Sequence, residues 1–208
     1  MKEDFLALDE LVANNFSPAY TYEEYLQLIE KLHSEDRATG ENQSVKFVEF
    51  SKLNEHRMKR IHRKQRIDTD LIEKIESIKT PYTWLVITES WCGDAAQNLP
   101  ILEKLAAYSD LISTKYLLRD ENPQIMDLFL TNGGKSIPIV VCLDKMGKVV
   151  FRWGPRPSAV QERVLAYKHA LEPKPSYDEL AKETQLWYAK NKGAQFQEEW
   201  NLLVELLN

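Results

Sequence analysis

The chain has 208 residues, a formal net charge of -5 and 43% hydrophobic residues. That supports a sizeable core without disulfide staples, and the acidic balance argues against a general nucleic-acid binder. No apolar run approaches the ~20 residues needed to span a bilayer. The opening Met1-Lys2-Glu3-Asp4-Phe5 lacks the basic-then-apolar pattern of a secretory leader, so a reducing cytoplasm is the expected compartment.

The first 80 residues read as helical and form an N-terminal extension (1-80). Phe5, Leu8, Leu11 and Val12 recur at helical spacing. Thr21 followed by Glu24 has the pattern of a capping box, ahead of an apolar stripe of Tyr25, Leu28, Ile29 and Leu32. After a polar connection around Gly40, the stretch Val45 to Phe50 suits either strand or helix. Helix is favoured, because Val48, Met58 and Ile61 continue a helical pattern. Asp68 or Thr69 caps a short helix carrying Leu71, Ile72, Ile75 and Ile78.

The middle of the chain (81-172) changes character. Tyr82 to Thr88 is β-branched and aromatic, as a buried strand should be. Asp94 to Tyr108 is helical, Leu111 to Leu118 is a second strand, and Pro123 opens a helix reaching about Thr131. Ile137 to Leu143 and Lys148 to Trp153 are strands around a turn in which Gly147 supplies a positive φ. A helix from about Ser158 to Leu171 completes the unit. Strand–helix–strand followed by a hairpin predicts an α/β fold with a mixed β-sheet flanked by helices. Pro173-Lys174-Pro175 interrupts the chain before a C-terminal helical extension (173-208). Its last stripe, Phe196, Trp200, Leu203, Val204 and Leu207, reads as intramolecular packing.

Two cysteines make no disulfide framework. Cys142, inside Ile139-Val140-Val141-Cys142-Leu143, reads as a core residue. Cys92 is different. Trp91-Cys92-Gly93 follows a buried strand and opens a helix, where unpaired N–H groups and the helix dipole favour thiolate.

On these residues the region from Tyr82 to Leu171 resembles the thioredoxin family. Pro100, eight residues past Cys92, matches the proline of the family's active-site helix. Asp120-x-Asn122-Pro123, Ile137-Pro138, Gly147 and Gly154 match the family's later landmarks in order. The resemblance implies a thioredoxin-like fold, with Cys92 as the nucleophile and Pro138 in a cis bond beside it. Trp91, Gly93, Asp94, Ile137, Pro138 and Gly154 would form the substrate-docking surface. It further implies that Asp120 accepts the Trp91 indole N–H, and that Gly154 brings Arg152 or Arg156 near Cys92, where either would favour thiolate or bind an anion.

The chain departs from the pattern at Ala95, where a dithiol relative carries its resolving cysteine. Val86 and Tyr116 stand where the family often has a buried aspartate and its lysine partner. Cys142 cannot substitute: four strand residues past Pro138 is roughly 13 Å, against the ~7 Å Cα separation a disulfide tolerates. Asp94 reads first as a helix-terminal carboxylate that also opposes thiolate formation.

The stretch Lys52 to Arg66 holds seven Lys or Arg against Glu55 alone. Without interleaved aromatics it reads as a solvated helix face. His33, His56, His62 and His169 have no metal-ligand spacing, and neither metal nor organic cofactor is expected. The expected function is thiol-disulfide exchange through Cys92 alone, resolved by an external thiol. The partner would be a disulfide-containing protein or a low-molecular-weight thiol. The alternative is a redox-inactive binding module on the same fold.

Overall fold

The computed structural model describes residues 19–207; the predicted helical stripe from Phe5 to Val12 lies outside them. Helix α1 (Tyr22–Ser34) starts with the capping box. The Thr21 hydroxyl accepts from the Glu24 N–H at 3.2 Å, and the Glu24 carboxylate accepts from the Thr21 N–H at 2.7 Å. Helix α2 (Val45–Lys64) resolves the ambiguous Val45 to Phe50 stretch as helix. Helix α3 (Thr69–Glu76) follows, with Asp68 as its N-cap.

The strands and helices of the middle region alternate as expected. They are β1 (Tyr82–Thr88), α4 (Gly93–Ala106), β2 (Ile112–Leu118), α5 (Pro123–Asp127), β3 (Ile139–Leu143), β4 (Val149–Trp153) and α6 (Ser158–His169). Helices α7 (Tyr177–Asn191) and α8 (Ala194–Val204) and a short 3-10 turn (Glu205–Leu207) end the described chain. The sheet has the order β2-β1-β3-β4; β1 and β2 are parallel, and the other two pairings are antiparallel. Helix α5 is shorter than its pattern predicts: the chain turns after Phe129, and Asn132 takes φ +50°. Strand β3 begins at Ile139, two residues late, because Pro138 has no N–H for the ladder.

The core runs without interruption from α1 through the sheet to α8. Tyr25 and Ile29 of α1, Leu71 and Ile75 of α3, all of β3, and Phe196, Trp200 and Val204 of α8 belong to one buried cluster. The Trp200 ring lies 4.7 Å from that of Trp84 on β1. Tyr116 faces Val86 across β1 and β2, stacks on Tyr25 at 5.3 Å and donates its hydroxyl to Glu103 on α4. Where an acid and a lysine might have stood, the sheet carries apolar volume and a satisfied phenol.

Candidate functional site

Strand β1 delivers the chain to a turn at Ser90 and Trp91, and Cys92 becomes the N-cap of α4. Its sulfur accepts from the Ala95 N–H at 3.4 Å and lies 3.2 Å from the Ile137 carbonyl, to which the thiol donates. Pro138 is cis, as the motif implies. Gly154 (φ +114°) closes the other side. A Cβ there would overlap the Pro138 carbonyl oxygen, so glycine is required by both conformation and space.

The expected thiolate character of this sulfur is not met. Cys92 is only 7% exposed. Its thiol pKa is pushed up to about 12, not down. Burial is the main cause, and the Asp94 carboxylate adds to it. The Ala95 N–H and the Arg156 guanidinium pull the other way and lose. Helix-terminus chemistry is present, but taking a thiolate out of water outweighs one long N–H···S contact. Ile137 is buried too, with its carbonyl engaged by Cys92, so it offers no free edge to an extended peptide in this conformation.

Asp94 neither caps α4 nor faces solvent. It accepts from Arg156 Nε at 2.8 Å and from the Tyr188 hydroxyl at 2.7 Å. Asn98 donates to the Asp94 carbonyl at 2.8 Å and to the Tyr188 oxygen at 3.1 Å. Of the two arginines on the Gly154 loop, Arg156 therefore reaches the site through Asp94, whereas Arg152 is exposed on β4. Cys142 pairs with Trp84 and Phe151 in the ladder, fully buried, three residues beyond Ile139. That is roughly 10 Å farther along β3, consistent with a core role.

The predicted Trp91–Asp120 hydrogen bond is absent. Asp120 accepts from Arg119 Nε at 2.8 Å and from the Glu41 N–H at 3.1 Å. The buried Trp91 Nε1 has no partner among the described residues. The Arg119 guanidinium lies 4.8 Å over the Trp91 ring and the tilted ring of Phe47 of α2 lies 4.9 Å from it, so cation and aromatic contacts replace the pair.

The sequence pattern did not disclose the polar seam behind this turn. The Ser90 hydroxyl meets Ser51 at 2.6 Å and Thr39 at 3.1 Å, and Asn54 donates to the Ser90 carbonyl at 3.0 Å. His33 bridges Ser51 at 2.7 Å and Glu55 at 2.6 Å. Glu55, His33 and Ser51 have the order of a nucleophile-activating triad. Ser51, however, is fully buried and held against Ser90, so the group fastens α1 and α2 to the turn rather than meeting a substrate. Glu89 is also fully buried. One oxygen accepts from the Asp120 N–H at 2.9 Å and the other has no hydrogen-bond partner. Burial pushes its pKa up to about 7 and the nearby Asp120 carboxylate adds to it, against the Asp120 N–H, which lowers it. The signal for the seam was there: Ser51 and Asn54 fall on the α2 face that Val48 and Met58 bury.

A mixed sheet with a cysteine N-capping the helix after β1, beside a cis-proline, defines a thioredoxin-like fold. Comparison with known families agrees: the thioredoxin family model (Thioredoxin_9) matches residues 40–172, and the chain belongs to that family. That span takes in α2 and α3 as well as the sheet. A crystal structure of a protein of unknown function from Pseudomonas aeruginosa is 19% identical with a TM-score of 0.52, over 89% of this chain and 98% of that one. An HIV epitope scaffold is 18% identical with a TM-score of 0.51, again over 89% of this chain and 98% of that one. Both likenesses are of fold. No match is found among curated proteins.

Proposed function

We propose that this protein carries out thiol-disulfide exchange through Cys92 alone, in a thiol-rich compartment such as the cytoplasm. The observation that carries the reading is the placement of the sulfur, N-capping α4 and bonded to the carbonyl that precedes cis-Pro138. The Cys92 thiol loses its proton to solvent and the sulfur attacks a disulfide R–S–S–R′. A Cys92–S–S–R bond forms and R′S⁻ leaves. An external thiol R″SH then attacks this mixed disulfide, giving R–S–S–R″ and free Cys92. Ala95 cannot perform the second step, so the external thiol is obligatory.

With its pKa pushed up to about 12, the Cys92 thiol holds its proton at neutral pH. Exchange must therefore proceed from a conformation in which the sulfur is better solvated. That same burial favours a second reading, a thioredoxin-fold binding module without turnover. Reduction of a small glutathione mixed disulfide, with glutathione as donor, separates the two. Exchange predicts turnover that Cys92→Ser abolishes. A wild-type rate equal to that of Cys92→Ser would leave only the binding module.

A further inference from the structure

We propose that helix α7 is a hinged cover over Cys92, and that its displacement from the first turns of α4 exposes the sulfur. The inference rests on the exchange reading above and supplies its regulation.

The contacts of α7 with the site are polar and few. Tyr188 donates to Asp94 and receives from Asn98, and Gln185 accepts from Gln97 Nε2 at 2.7 Å. Gln185 also lies on the backbone of Gly93: a Cβ at that position would come within 3.0 Å of Gln185 Nε2. The Gln185 amide thus lies beside the first residue of α4. Asp178 at the start of α7 reaches Lys46 of α2 at 3.0 Å, through an exposed pair that adds little.

The apolar hold on α7 is weak. Leu180, Thr184 and Tyr188 are its buried residues, whereas Leu186 is 60% exposed. Its neighbour α8 is anchored differently, with Phe196, Trp200 and Val204 sunk in the core. Between them lie two residues in the left-handed region, Lys192 (φ +54°) and Gly193 (φ +78°). The hinge is pinned from below. A Cβ on Gly193 would come within 2.6 Å of Ile101 Cδ1, and Gln65 donates to the Lys192 carbonyl at 3.1 Å. At its other end α7 is tethered by the segment Glu172-Pro173-Lys174-Pro175, which follows the exposed Leu171. A helix fixed at one end, packed beside α6 and latched to α4 by side-chain hydrogen bonds can open locally without disturbing the core.

The test is alkylation of the full chain by iodoacetamide, followed at Cys92 by mass spectrometry, with core Cys142 as internal control. The double variant Gln185→Ala/Tyr188→Phe removes the latch and keeps the ring. It should alkylate Cys92 at least tenfold faster across pH 7 to 9, with Cys142 unchanged. Hydrogen exchange on the wild type should show α7 amides opening well before those of α8, whatever the variant does. An unchanged Cys92 rate in a folded variant, a parallel rise at Cys142, or equal protection of α7 and α8 would overturn the cover. An unlatched Cys92 that alkylates quickly yet forms no mixed disulfide with oxidised glutathione would leave the cover standing and overturn the exchange function.

Discussion

At Cys92 two influences of opposite sign act on one sulfur, and their sources can be separated. Asp94 and Arg156 form a close pair with both side chains largely buried, so the field at the thiol depends on their balance. Asp94 raises the thiol pKa and Arg156 lowers it. Asp94→Asn removes the opposing charge and leaves the helpful one. We expect the Cys92 titration midpoint to fall by about one unit, a tenfold gain in thiolate at fixed pH. Arg156→Gln should move it upward. The measurement is the pH profile of alkylation. It separates this effect from opening of α7, because a charge effect shifts the midpoint while exposure lifts the rate at every pH. A midpoint unmoved by either substitution would show that burial alone sets the acidity of this thiol.

At the scale of elements, the order of strands and helices was legible because each carries a local signal. The Thr21–Glu24 box, Pro123 at the first position of α5 and the alternation of apolar runs all act over a few residues. The landmarks of the site, Cys92, Pro138 and Gly154, were legible through the resemblance to the thioredoxin family. What surrounds them was not, because the groups around the first turn of α4 come from segments distant in sequence. Tyr188 is 94 residues from the Asp94 it bonds. The Trp91–Asp120 expectation failed for a similar reason: Arg119, next to Asp120, takes the carboxylate and covers the indole. The first turn of α4 itself supports a sharper prediction. Ala95 is buried with its N–H on the Cys92 sulfur, one helical turn on. Ala95→Cys should therefore form an intramolecular disulfide under mild oxidation, detected by mass spectrometry as the loss of two hydrogens. It should also reduce insulin with a dithiol-recycling reductase, where wild type is poor. A variant that oxidises only between molecules would mean that this turn cannot close the bond.

Across the whole molecule, the loop after α1 joins the N-terminal helices to the sheet through buried polar groups, and Glu89 is the one with the largest consequence. Its carboxyl lies behind Gly40 and beside Asp120, with one oxygen unpartnered. Its folded pKa is about 7, raised by burial from an unfolded value of 4.5. The sign follows from proton binding. Between those two values the folded chain holds a proton that the unfolded chain has released, so stability falls as pH rises. The contribution is fully present below about pH 4.5 and lost above about pH 7, on the order of 3 kcal/mol in all. Other carboxylates oppose this trend: Asp36 is held low by Lys52 and Glu24 by Thr21. The useful quantity is therefore a difference between two proteins. Glu89→Gln keeps an oxygen for the Asp120 N–H and cannot ionise. Urea unfolding at pH 5 and pH 8 should show wild type losing stability relative to this variant as pH rises, with the gap closing toward acid. Parallel pH dependences would place the titrating group elsewhere. If the gap is found, the join between the N-terminal helices and the Trp91–Cys92 turn weakens with rising pH, in the same direction as the ionisation that exchange at Cys92 requires.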